Sequence, residues 1–134
     1  MDTSAFLDSS VVLYAFDKKA FDKSEKAFAL IRSGAFVSPQ VLFETLFVLL
    51  RKVKLTKAEA VNFIRFLLSH SLLQEENKAV VENALAVFSK YNLQSYDSKI
   101  VAAALVAGCA TLYSEDMQHG LVIENSLTIL NPFL

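Results

Sequence analysis

Ala5-Phe6-Leu7-Asp8-Ser9-Ser10-Val11-Val12 is the stretch on which the fold turns. Three apolar residues in a row, without polar alternation, suit a short strand buried on both faces. Asp8 ends that run, and Ser9 or Ser10 then starts a helix expected to continue through Phe16. A buried strand feeding straight into a helix opens a βα unit of a parallel sheet.

Outward from there the pattern repeats. Asp22 and Glu25 have the spacing of a capping box for a helix that closes at Gly34. Ala35 to Val37 reads as a second strand, and Ser38-Pro39 opens a helix to about Lys52. Thr56 and Glu59 form another capping box, for a helix to about His70. Asn77 begins a helix to about Lys90, and Ser95 caps one through Ala107 that Gly108 closes. Thr111 to Tyr113 and Thr128 to Leu130 read as strands. The expectation is an α/β fold with residues 1–134 as one domain. Its central, mainly parallel sheet of four to five short strands is flanked by helices in three layers. Ligands of such sheets bind beyond the carboxyl ends of the strands, where Asp8 and Asp116 fall.

Composition narrows the function classes. At 54% hydrophobic residues and a mean hydropathy of +0.39, the chain has more apolar material than a small core needs. The surplus points to a homo-oligomer interface. The longest charge-free run, Ile100 to Ser114, falls short of the roughly 20 apolar residues of a membrane span. The chain opens with Asp2 and has no basic segment before Phe6, so no signal peptide is expected and the reading is cytoplasmic. Cys109 is the only cysteine, which excludes an internal disulfide and a thiolate zinc site and suits a core position. A net charge of −1 and a pI near 6.1 give no broad basic excess. Any nucleic acid must therefore be held by a local basic patch or by metal ions.

Four carboxylates stand apart from the acids on solvated faces. Asp8 is the only charge between Thr3 and Phe16, and Glu44 the only one between Ser33 and Leu50. Glu44 has Gln40, Val41, Phe47 and Val48 as its helical neighbours. Asp97 opens a helix that is uncharged after Lys99, and Asp116 follows a strand. Each has an ordinary reading: Asp8 as an N-cap, Asp97 as a helix-start acid, Asp116 as a turn residue. Glu44 has the weakest, because a dry, unpaired carboxylate costs several kcal/mol at least. If the four converge, each pair about 5 Å apart repels by roughly 3 kcal/mol at an effective dielectric near 20. A cation is then required, and oxygen-only ligands suit Mg²⁺ or Mn²⁺.

These residues fall in segments with a known pattern: Phe6 to Val12, Val41-Leu42-Phe43-Glu44-Thr45-Leu46, Tyr96-Asp97-Ser98-Lys99 to Ala104, and Leu112-Tyr113-Ser114-Glu115-Asp116-Met117. In order and spacing the chain resembles the PIN-domain nucleases, particularly the VapC-type toxins of toxin–antitoxin pairs. The resemblance implies that Asp8, Glu44, Asp97 and Asp116 are both the catalytic set and the Mg²⁺ or Mn²⁺ site. It implies that Ser114 supports the metal shell by hydrogen bonding. It also implies hydrolysis of RNA phosphodiester bonds, homodimerisation, and inhibition by a small antitoxin protein in the active-site groove. Position 10 is Ser where many members carry Asn, and Glu115 is expected to point away from the site. Lys99, Ser9 and the cluster Arg51, Lys52, Lys54 and Lys57 are candidates for substrate-binding or supporting contacts, as is His119. For the basic cluster the plain alternative is a solvated helix end.

Rival readings are fewer. A phosphatase with a nucleophilic aspartate needs a second Asp where Ser10 stands. The three glycines, Gly34, Gly108 and Gly120, form no phosphate-cradling turn. The remaining alternative is a non-catalytic PIN-like module that binds RNA or protein without cutting.

Overall fold

The computed structural model describes residues 4–17 and 19–134; Asp2 and Thr3, used above, lie outside them. Among the described residues one sheet holds β1 (Ala5–Leu7), β2 (Phe36–Val37), β3 (Leu72–Leu73), β4 (Thr111–Tyr113), β5 (Val122–Ile123) and β6 (Leu127–Leu130). Their order across the sheet is β3-β2-β1-β4-β6-β5. Neighbours are parallel throughout except β5 and β6. The helices are α1 (Ser9–Val12), α2 (Phe21–Arg32), α3 (Pro39–Arg51), α4 (Lys57–His70), α5 (Lys78–Lys90) and α6 (Ser95–Val106).

The α/β class and the mainly parallel sheet are as expected, but the sheet has six strands rather than four to five. The two extra strands are two residues each. Leu72–Leu73 is recruited by pairing with β2, a tertiary event. Val122–Ile123 returns from β6 through a tight loop in which Glu124 and Asn125 have φ of 51° and 54°. Glycine or asparagine usually marks such left-handed positions, and Glu124 hides the turn.

The helix caps follow local chemistry with two corrections. Ser38 accepts from the Val41 amide, Asn77 from the Val80 amide, and both halves of the Thr56–Glu59 box form. The Asp22–Glu25 box does not form. The chain enters α2 from a turn in which the Ala20 amide bonds to the Asp17 carbonyl, so Ala20 becomes the N-cap and Asp22 lies inside the first turn. Likewise Gln94, not Ser95, is the N-cap of α6. The helix expected from Ser9 to Phe16 is α-helical only to Val12 and tightens into a 3₁₀ turn over Leu13–Phe16.

Phe6, Leu7, Leu112, Leu127 and Ile129 are fully buried at the centre of the sheet, and Cys109 is buried as expected. The aromatic residues of α3 are not core: Phe43 and Phe47 are 67% and 52% exposed, whereas Phe63 of α4 is buried. No helix among the described residues is long and apolar enough to cross a membrane.

From β1 the chain runs to β2 and β3 on one side, then crosses to β4 on the other. The carboxyl ends of β1 and β4 thus form the switch point where open parallel sheets bind ligands. Leu7 pairs with Tyr113, and the Asp8 amide donates to the Tyr113 carbonyl at 3.0 Å.

Candidate active site

Asp8 leaves β1 at that switch point and caps α1, its Oδ1 accepting from the Ser9 amide at 2.9 Å. Its Oδ2 accepts from the Ser10 hydroxyl at 2.8 Å and from the Ser114 hydroxyl at 2.9 Å. The ordinary N-cap reading holds for this residue. Asp8 is only 4% exposed. Burial raises its pKa above the usual carboxylate value, the three hydrogen bonds pull it back, and the charge of Asp116 adds to the rise.

Ser114 is wholly buried and bonds in three directions. It donates to Asp8 and accepts from the amides of Asp116 and Met117, each at 3.2 Å. It thereby orients the Asp8 carboxylate and the backbone that carries Asp116. Ser10 accepts from the Glu115 amide at 3.1 Å. A hydroxyl there reaches both Asp8 and the Asp116 loop.

Glu44 projects from α3, partly buried. Ser9 donates to its Oε1 at 3.3 Å and Gln40 to its Oε2 at 3.3 Å. Ser9 thus joins two of the acids, its amide to Asp8 and its hydroxyl to Glu44. Burial raises the Glu44 pKa first, and the negative charges of Asp8 and Asp97 raise it further. Asp97, in the first turn of α6, is raised by burial and then by Asp8 and Asp116. Four carboxylates from positions 8, 44, 97 and 116 therefore share one electrostatic field.

Among the described residues, no three His, Cys, Asp or Glu side chains form a ready-made metal cluster. The donor set nevertheless fits a hard cation: it is all oxygen, mutually repelling and open. An open carboxylate set suits Mg²⁺ or Mn²⁺, which keep several of their waters when bound.

A groove of about 590 Å³ adjoins the acids, lined by Ser9, Glu44, Phe43, Phe47, Tyr96 and Lys99 among others. Lys99 is ion-paired with Glu76 across this groove rather than extended into solvent. Arg51 ends α3, about 10 Å along the axis from Glu44, and Lys52, Lys54 and Lys57 follow it, exposed, through the turn into the start of α4. Arg51 stacks on Phe47, which brings one cation of the cluster back toward the groove. His119 accepts from the Asn131 amide at 2.9 Å and has a structural use. Glu115 turns away from the acids, as expected, to Tyr14 and Lys23.

Sequence reasoning gave Gln40 no role, although its place four residues before Glu44 puts both on one helix face. Glu76 carried no signal, because only the tertiary fold brings it to Lys99.

A family model for the PIN domain matches residues 5–120, and the chain belongs to that family. No curated protein matches it in sequence. Among solved structures it is similar to VapC20 of Mycobacterium tuberculosis, a sarcin–ricin loop cleaving toxin. That match has 18% identity and a TM-score of 0.68, and covers 84% of this chain and 90% of that one. It is also similar to a chain of a toxin–antitoxin complex from Klebsiella pneumoniae. There the identity is 16% and the TM-score 0.71, covering 96% of this chain and 98% of the other. At these identities the likeness is one of fold.

Proposed function

We propose that this chain is a Mg²⁺- or Mn²⁺-dependent endoribonuclease, the toxin of a type II toxin–antitoxin pair, acting as a single domain in the cytoplasm. The observation that carries the reading is Asp8 at the β1–β4 switch point, tied through Ser114 to the loop of Asp116 and through Ser9 to Glu44; the charge of Asp8 also acts on Asp97. Folding tolerates such repulsion best when a cation offsets it. Membership of the PIN family and the likeness to a sarcin–ricin loop cleaving toxin support RNA as the substrate.

Asp8, Glu44, Asp97 and Asp116 are the residues that would hold the ion. When bound, a divalent ion supplies a Lewis acid for a transferring phosphoryl group and lowers the pKa of water. Ser10, Ser114 and the Ser9 amide orient Asp8, and the Ser9 and Gln40 side chains orient Glu44. Phe43, Phe47 and Tyr96 offer faces on which unpaired bases stack. Lys99 and the basic cluster at the end of α3 offer phosphate contacts. The expected products carry a 5′-phosphate and a 3′-hydroxyl.

The exposed apolar residues of α3 and α5, including Leu85 and Phe88, support a homodimer seam and an antitoxin groove. The toxin–antitoxin complex among the structural relatives favours a small protein partner. The test is cleavage of a mixed RNA panel by the purified chain with Mn²⁺, with EDTA, and with Asp8→Asn and Asp97→Asn. Cleavage only in the Mn²⁺ arm of the unaltered chain is expected. Undiminished cleavage by both variants overturns the proposal. A non-catalytic module would bind RNA in every arm and cut in none.

A further inference from the structure

The loop after β4 carries two adjacent carboxylates, Glu115 and Asp116, that go to different surroundings. Tyr14 donates its hydroxyl to Glu115 Oε1 at 2.6 Å, and the Lys23 ammonium donates to Oε2 at 3.2 Å. Both oxygens of Glu115 are therefore engaged outside the acid site. The clasp is itself held in place: the Lys23 ammonium lies 4.7 Å from the Tyr14 ring centre and 5.4 Å from that of Phe133. The two rings meet edge to face at 4.7 Å. On the backbone side, the Glu115 amide donates to Ser10, whose own proton goes to Asp8. Asp116, by contrast, is close enough for its charge to act on Asp8 and Asp97.

We propose that Glu115 is a positioning residue: its clasp by Tyr14 and Lys23 fixes the 114–117 loop so that Asp116, and not its neighbour, is turned toward Asp8 and Asp97. The consequence for metal binding rests on the ribonuclease reading above; the geometry of the clasp does not. Sequence gives no hint of it, because Tyr14, Lys23 and Phe133 come from a 3₁₀ turn, a helix and the last residues of the chain. Pairs of this kind add little to global stability, since Lys23 and Glu115 keep 41% and 28% of their side-chain exposure. The effect lies in orientation. Outer contacts that orient metal-binding groups change metal affinity by about 10- to 100-fold.

The experiment is Mn²⁺ titration calorimetry on the full chain and on Glu115→Ala, Glu115→Gln and the double variant Tyr14→Phe/Lys23→Met. Thermal midpoints and amide hydrogen exchange at residues 116 and 117 are followed in parallel. Glu115→Ala and the double variant should each weaken Mn²⁺ binding about tenfold and speed exchange at both amides. Their midpoints should stay near that of the unaltered chain. Glu115→Gln has one acceptor oxygen in place of two, so it keeps only one of the two hydrogen bonds and should fall between the parent and Glu115→Ala in Mn²⁺ affinity and exchange, with its midpoint near the parent's. Unchanged Mn²⁺ affinity and unchanged exchange in Glu115→Ala overturn the assignment. So does a global loss of stability shared by Glu115→Gln, which marks a merely structural pair. If the unaltered chain binds no Mn²⁺, the ribonuclease reading falls, and amide exchange alone still decides the clasp.

Discussion

The hydroxyl of Ser114 donates to Asp8 Oδ2 at 2.9 Å, joining the carboxyl ends of two adjacent parallel strands across 106 residues of sequence. Both groups are buried, so neither has water as a substitute partner. The bond holds a carboxylate that burial penalises and fixes the turn that carries Asp116.

Ser114→Ala removes that donor and leaves two backbone amides without their acceptor. Such a loss inside the protein costs about 1–3 kcal/mol. The midpoint of urea unfolding should fall accordingly with the slope unchanged. Ser114→Thr keeps the hydroxyl and should recover most of the loss. Equal destabilisation by both substitutions would show that packing, not the hydroxyl, matters.

Acid should stabilise the metal-free protein over part of the range. The carboxyl groups of Asp8, Glu44 and Asp97 all lie above their ordinary values of 3.8, 4.5 and 3.8, with burial the leading cause. A raised carboxyl gives stability that is fully present below the unfolded value and is lost as pH rises through the folded one. Thermal midpoints in EDTA should therefore rise as pH falls toward the ordinary carboxyl values of 3.8 and 4.5. Excess Mn²⁺ should reverse this trend, because it binds the deprotonated acids. A midpoint that falls steadily with acid in EDTA contradicts raised carboxyls at these three positions.

Asp97→Asn separates activity from stability. It removes one like charge from the set, so the metal-free chain should gain about 1 kcal/mol in chemical denaturation. The same change should lower RNA cleavage on the order of 10³-fold or more. A variant that loses both stability and cleavage would mean Asp97 is a structural helix-start acid.

Lys99 provides a test of substrate contact. Its pairing with Glu76 must be exchanged for a phosphate if RNA enters the groove. Lys99→Met should then reduce the slope of log affinity against log salt by about 1. Glu76→Gln, which frees the ammonium, should tighten RNA binding a few-fold. An unaltered salt slope in Lys99→Met means that Glu76 keeps the cation throughout.

Much of this was legible in the sequence where chemistry is local. The Thr56–Glu59 box, the Ser38 and Asn77 caps and the apolar run before Asp8 depend on neighbours within four residues, and they formed as read. The Asp22–Glu25 box had the same spacing and failed, because the incoming turn from Asp17 started the helix elsewhere. Strands of two residues carry too little pattern to be seen before a partner pairs with them.

The candidate site divides along the same line. Isolated charges in apolar surroundings singled out Asp8 and Glu44, and a dry carboxylate is costly wherever the chain goes. Sequence by itself therefore determined which acids needed an explanation, the parallel α/β class, and the strand ends where two of the acids lie. Only the tertiary structure decided that Ser9 joins Asp8 to Glu44, that Ser10 reaches the Asp116 loop, and that Glu115 is drawn off by Tyr14 and Lys23. Apart from the local Ser9–Asp8 bond, those contacts link residues 35 to 105 positions apart, and short-range propensity has no purchase on which distant side chains a folded sheet brings together.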